Sequence, residues 1–409
     1  MIESRRGLLR IEDVEAAALA RRFGTPLYVY SKRTLLSRYE ALRRAFRPLR
    51  PLICYAMKAN SNRAVVALLA RRGAGADVVS GGELLRALAA GVPAERIVFS
   101  GVGKTVEELE LGLKKGVLTF NVESSQELQV LEAVARRLKR RAPVSMRLNP
   151  NVDPHTHPYI TTGLAHNKFG VERPQALDLC EKAAGSAWLQ VKGIQCHIGS
   201  QISAVAPYAR AARAVAGLSK ELEKRRIAIE LVDMGSGFGI SYQNEKELSL
   251  PRFAAALTRI IPSRFKLLLE PGRCLIADAG VLLTRVLYTK KTSRRRFVIV
   301  DAGMNDFARP ALYHAYHPIK PVAVRGGPLR RVDVVGPVCE SGDFLALDRL
   351  LPPVARGDVL AVLKTGAYGF AMSSQYNSRP RAGEVLVDAG QARLIRRRER
   401  FADLTRHEA

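Results

Sequence analysis

The chain has 409 residues, 47% hydrophobic and 25% charged, a balance that supplies a large core and excludes wholesale disorder, a collagen-like repeat or a Pro/Gly-rich tract. Basic residues exceed acidic ones by 27. The dense runs at 136–141, 290–296 and 396–398 are scattered between amphipathic segments, so they read as solvated basic faces and nucleic-acid binding is not expected.

Five cysteines (Cys54, Cys180, Cys196, Cys274, Cys339) are widely spaced with no C-x-x-C pair, which predicts neither a disulfide framework nor a zinc site. Glu3, Arg5, Arg6, Arg10 and Glu12 break up any apolar leader core, and no run reaches the length of a membrane span. The expectation is a soluble, cytoplasmic protein.

In chain order, a helical pattern covers Glu12 to Phe23, and Pro26 to Tyr30 reads as a short strand. Eight apolar or β-branched runs follow, beginning near Leu52, Ala76, Arg96, Leu118, Val144, Val191, Ile229 and Lys266. The first seven are each followed by a stretch able to hold a helix. Examples are 82–90, closed by Gly91-Val92-Pro93, and 124–139, with Leu128, Leu131, Val134, Ala135 and Leu138 on one face. This alternation predicts an α/β protein with a closed (β/α)₈ TIM barrel; an open doubly wound sheet is the alternative, though no G-x-G follows the first strand. The long loop Asn149 to Gly170 carries His155 and His157, which lack a settled third ligand and are expected to be loop hydrogen-bonders, so no metal is expected. Beyond residue 275 strand-like segments dominate and predict a second, mainly β domain.

Barrel chemistry sits at the C-terminal strand ends. Those ends carry Lys58, Asp77 with Ser80, Arg147 with Asn149, His197 with Ser200, the turn Gly235-Ser236-Gly237, and Glu270-Pro271-Gly272-Arg273. A glycine-rich turn lets backbone N–H groups converge on an anion, and a partly desolvated lysine can react with an aldehyde. Lysine, anion cradle, carboxylate and flat imidazole match the aldehyde, phosphate, ring nitrogen and ring face of pyridoxal 5'-phosphate.

The residues that carry these features form a longer pattern: YAMKAN at 55–60, DVVSGGEL at 77–84, FSGVGK at 99–104, RLNPNVDPHTHPYITTG at 147–163, KFG at 168–170, HIGSQI at 197–202, EPGR at 270–273, DAGMNDFARPALYHAYH at 301–317, VVGPVCESGD at 334–343 and GAYGFAMSSQYNSRPR at 366–381. Ten in order resemble the fold-type III pyridoxal-phosphate decarboxylases over nearly the whole chain. The resemblance implies an alanine-racemase-type barrel at 30–275, a β-sandwich or β-barrel domain at 276–409, and an N-terminal segment, 1–29, packing with the latter. It implies that Lys58 tethers the cofactor, that His197 stacks on its ring, and that Ser200, Gly237, Glu270, Pro271, Gly272, Arg273 and Tyr368 bind it, Glu270 facing the ring nitrogen. It further implies substrate contacts from Arg273, Arg309, Tyr313, Glu340 and Tyr368, and a proton donor, Cys339, that subunits of a homodimer exchange. The family's loop usually reads GGG. Here Ser236 stands in the middle, where it either strains the turn or adds a phosphate bond.

Under that resemblance Arg273 and Arg309 would pair the substrate carboxylate that is kept and Glu340 the amino group beside it, which suits meso-diaminopimelate and the product L-lysine. Decarboxylases of other basic amino acids (carboxynorspermidine, D-ornithine, D-lysine) are the alternative within the fold. A basic regulatory or nucleic-acid-binding relative that keeps only the barrel is the alternative outside it.

Overall fold

The structure, a computed structural model, describes residues 2–154, 162–164 and 166–408. It separates into two compact units, one of residues up to Arg38, Tyr242–Glu245 and Leu275 onward, the other of Tyr39–Ser241 and Lys246–Cys274.

The second unit is a closed barrel of parallel strands Leu52–Ala56, Gly75–Val78, Ile97–Phe99, Thr119–Val122, Ala142–Arg147, Leu189–Gln195, Leu231–Asp233 and Lys266–Leu269. Each starts within about two residues of its expected run, because strands buried on both faces read as short continuous apolar segments. Pairing of Lys266–Leu269 with Leu52–Ala56 closes the ring and removes the open-sheet alternative. Local chemistry sets the intervening helices. Ser80 caps Gly81–Ala89 by accepting from the Glu83 N–H, and Thr105 and Glu108 form a capping box on Val106–Lys115, which stops at left-handed Gly116. Ser125–Leu138 buries Leu128, Leu131, Val134 and Ala135 as its periodicity predicts.

In the first unit a nine-stranded sheet is organised around the long strand Gly280–Lys291. Its first half pairs antiparallel with Leu27–Ser31 and with Val359–Leu363, and its second half with Arg296–Val300. The fully buried Leu27–Ser31 also pairs with Gly383–Asp388. The boundary expected at 29/30 therefore cuts a hydrogen-bonded strand, and this unit continues to Arg38. The first helix begins at Ala16 rather than Glu12. Glu12 takes a left-handed φ of 54°, and its buried carboxylate accepts from Ser31 Oγ and from the N–H groups of Arg33 and Ala389, tying three segments together instead of starting a helix. Among the described residues no helix is long and apolar enough to cross a membrane.

Candidate active site

The barrel strands deliver a row of polar side chains to one end. Lys58 lies in a single turn, Met57–Ala59, directly after the first strand, and its Nζ is 2.7 Å from Asp77 Oδ2 on the second. Register places Ala56 opposite Asp77, so the pairing follows from strand order. Asp77 is fully buried while the Lys58 side chain keeps 39% of its surface, which leaves the amine reachable and its counter-charge sealed.

At the end of the strand adjacent to the one leading to Lys58, Glu270 is buried, accepting from Asn121 Nδ2 at 3.4 Å and Gln195 Nε2 at 3.1 Å. Burial, then the neighbouring carboxylates Asp233 and Asp77, pushes Glu270 well above the usual carboxylate range, and burial raises Asp233 as well. Asp233 Oδ1 accepts from the Gly235 N–H at 2.8 Å, and its other oxygen is buried beside Glu270, so each carboxyl disfavours the charged form of the other. Asp77 Oδ1, Asn121 Oδ1 and Gln195 Oε1 are buried acceptors with no donor among the described residues. The interior therefore has an excess of acceptors, which suits a protonated ring nitrogen.

The turn after Leu231–Asp233 is an anion cradle by construction. Gly235 and Gly237 take left-handed φ of 56° and 102°, and a Cβ on Gly237 would collide with the Gly199 carbonyl oxygen. The N–H groups of Gly237 and Phe238 make no hydrogen bond among the described residues, while Ile202 donates to the Gly237 carbonyl and locks the loop to the segment after His197. Ser236 settles the two readings of its departure from the family pattern in favour of neither. It is not left-handed, and its hydroxyl donates to the Glu270 carbonyl at 2.7 Å, binding the cradle to the segment that carries the acid.

His197 Nδ1 accepts from the Ser236 N–H at 3.3 Å, which leaves the proton of a neutral ring on Nε2. Burial, then the charges of Arg147 and Lys58, pushes this imidazole well below the ordinary histidine value. Arg147 is itself held by buried Glu123 at 2.7 Å. Arg273 donates to Ser200 Oγ at 3.0 Å, and Pro271 accepts from the Ala56 N–H, setting the EPGR turn against the strand that leads to Lys58. Gly272 sits there because a Cβ would press on Ala59 and Ala56 at 3.1 and 3.2 Å.

The barrel unit thus brings together Lys58, His197, Ser200, Gly237, Glu270, Pro271, Gly272 and Arg273. The other predicted residues belong to the β unit. Arg309 opens a short helix, is buried, donates from Nε to His317 Nε2 at 3.2 Å, and lies over the rings of Tyr242 and Tyr313. Cys339 is the one exposed thiol of five free cysteines, and with Glu340 it stands on a loop held by Asp343, which accepts from the N–H groups of Val338 and Met304. Tyr368 adopts a left-handed φ of 55°, an uncommon state for a non-glycine residue. His155 and His157 lie outside the described residues, and among the described ones no cluster able to hold a metal ion occurs.

Sequence reasoning passed over Asn121, Gln195 and Asp233 and undervalued Asp343. Gln195 and Asp233 are the last residues of their strands and Asn121 the last but one, all three buried polar groups whose position is readable only once the strand ends are known.

This is the architecture of a pyridoxal-phosphate enzyme, and the family model described as pyridoxal-dependent decarboxylase, pyridoxal binding domain, matches residues 32–277; the chain belongs to that family. More particularly, it is 50% identical over 402 residues to the diaminopimelate decarboxylase of Aquifex aeolicus, covering 98% of this chain and 95% of that one. The crystal structure of diaminopimelate decarboxylase from Helicobacter pylori complexed with L-lysine is similar at a TM-score of 0.93 and 44% identity, over 96% of this chain and 98% of that one. A lysine/ornithine decarboxylase from Vibrio vulnificus complexed with cadaverine is more distant, at 25% identity and a TM-score of 0.80 over 91% and 95% of the two chains.

Proposed function

We propose that this chain catalyses the pyridoxal-phosphate-dependent decarboxylation of meso-2,6-diaminopimelate to L-lysine and CO₂, the last step of lysine biosynthesis. The observation that carries this reading is the seat built within one unit: an accessible amine at Lys58, a glycine cradle that admits no side chain, and a buried acid at Glu270 amid acceptors lacking donors. The near-full-length identity to diaminopimelate decarboxylases supports the substrate.

Lys58 would tether the cofactor through Nζ, the Gly237 loop with Ser200 and Tyr368 would hold its phosphate, His197 would cover one ring face, and Glu270 would meet the ring nitrogen. Bound there, pyridoxal phosphate supplies the electron sink for the pair left on the α-carbon as the carboxylate departs. Asp77 Oδ2 steadies the Lys58 amine and can take its proton. Glu270, with Asp233 beside it, would meet the ring nitrogen with a buried carboxyl and favour its protonated form. His197, held neutral, adds no competing positive charge. Arg273 and Arg309 would pair the carboxylate that stays, Glu340 the distal ammonium, and Tyr313 the wall between them; a substrate lacking that end would leave these groups unpaired. Cys339 Sγ, exposed on its loop, would return a proton to the α-carbon from the neighbouring subunit of a homodimer. A cytoplasmic location accords with five free cysteines.

Product analysis tests the reading: purified protein with pyridoxal phosphate is incubated with meso-diaminopimelate, D- and L-ornithine, D- and L-lysine and carboxynorspermidine. Lysine and CO₂ from the meso diacid, with turnover of the others at least about a hundredfold lower, is the expected outcome. Faster release of a diamine from ornithine or lysine would overturn it.

A further inference from the structure

The basic run at 290–296, unexplained by the decarboxylase reading, gains a setting in the fold. The strand Gly280–Lys291 turns at Thr292 into Arg296–Val300, and Arg330–Val335 lies parallel to the latter. Register sets Lys291 directly opposite Arg296, a like-charge pair across two strands, and brings the start of Arg330–Val335 alongside. Such pairs destabilise a sheet unless something offsets the repulsion.

These strand ends border a recess of about 440 Å³ lined by Lys291, Arg294, Arg295, Arg296, Arg330 and Arg331, all exposed. Only two carboxylates, Asp333 and Asp348, share the lining. Asp333 is already engaged, pairing with Arg295 Nη1 at 2.6 Å and accepting from the Asp348 N–H. Among the described residues the other five cations have no ion pair. In the other two basic runs several members are paired, Arg137 with Glu110, Arg396 with Glu384 and Arg397 with Asp403. The Thr292 hydroxyl accepts from the N–H groups of Arg294 and Arg295, and Thr292 N–H donates to the Arg295 carbonyl, so the turn that presents the guanidinium groups is fixed by its own bonds.

We infer that this recess is a binding site for a polyphosphate chain carrying three or more negative charges, separate from the decarboxylase chemistry. Converging guanidinium groups suit phosphate oxygens, which they can engage two at a time. The volume is that of a small-molecule pocket. A nucleic-acid track would add aromatic stacking platforms or a groove-reading helix, and the lining has no aromatic side chain.

The test is calorimetric titration of the cofactor-loaded protein at low ionic strength with inorganic tripolyphosphate, ATP, orthophosphate and a single-stranded oligonucleotide. Tripolyphosphate should bind once per chain and at least about tenfold more tightly than orthophosphate. Charge reversal in the double variant R296E and R331E should weaken it at least about tenfold further than the double variant K220E and K224E, which makes the same change in net charge on an exposed helix face. Equal affinity for tripolyphosphate and ATP assigns the site to inorganic chain chemistry, and tighter ATP assigns it to a nucleotide; both support the inference. It is overturned by the absence of saturable binding, by equal weakening in the two double variants, or by an oligonucleotide that displaces tripolyphosphate at lower concentration. Unchanged decarboxylation in both variants shows that they fold.

Discussion

In the barrel unit Glu270, Asp233 and Asp77 are buried together, while in the β unit Cys339 and Glu340 stand exposed on a loop hung from one carboxylate, Asp343. The difference concerns how each region controls a reactive group. Burial at Glu270 and His197 sets which groups carry protons, and neighbouring backbone leaves no room for error, as at Gly237 against Gly199. The β-unit loop is fixed through its backbone, by the bonds to Asp343 and by the Cys339 N–H donating to Asn377 Oδ1 at 2.8 Å, and leaves the side chains of Cys339 and Glu340 in contact with solvent. Under the proposed function, a cofactor seat needs the first kind of control, and a group offered to a neighbouring subunit would need the second.

The sharpest way to break this contrast is Lys58→Ala, which should lower decarboxylation on the order of 10³-fold or more. Borohydride treatment of the variant should add no pyridoxyl mass to the protein, and a retained adduct would place the tether elsewhere. Gly237→Ala comes next. A Cβ there meets backbone at a left-handed φ, so the pyridoxal phosphate dissociation constant should rise at least about tenfold and the melting temperature fall. Gly342→Ala in the β-unit loop, where a Cβ meets only Glu340 Oε1 at 3.4 Å, should move neither.

Asp343→Ala removes the acceptor of two backbone N–H groups and should cost about 2 kcal/mol in chemical denaturation. It should also raise KM several-fold while cofactor affinity stays at the parent value. A matching loss of cofactor would mean that the two regions are not controlled separately.

The effect on activity is expected to be smallest for Glu83→Gln, which acts on the pH dependence of stability. Burial pushes Glu83 up to about 7, so the folded state holds a proton that the unfolded state has lost above about 4.5. Stability therefore falls as pH rises from there to about 7, by up to about 1.4 kcal/mol per pH unit. In cofactor-free protein the variant should reduce the slope of denaturation midpoints across that window; an unchanged slope would assign the dependence to the other buried carboxyls, Asp233, Glu270 and Asp306.

Much of the barrel was legible before any coordinates. Strands covered on both faces must be apolar throughout, and Ser80, Thr105 and Ser124 mark helix starts with chemistry that acts within a single turn. The strand-end residues Lys58, His197 and Glu270 were legible for the same reason, since each ends a run that is plainly a strand.

Other features had no local signal. Leu27–Ser31 reads as an isolated fragment until Gly280–Lys291 and Gly383–Asp388 flank it. Glu12 looks like a helix start until three distant donors claim it. Ser236 offered two local readings and took a third, because the carbonyl it bonds lies 34 residues away.

The order and kind of elements, the lysine at the end of the first barrel strand and the glycine turn were thus determined by sequence alone, since each depends on neighbours a few residues distant. Which carboxyls are buried together, which tautomer His197 takes and which arginines crowd one recess were decided only by the tertiary structure. Burial and pairing join residues that the chain keeps far apart.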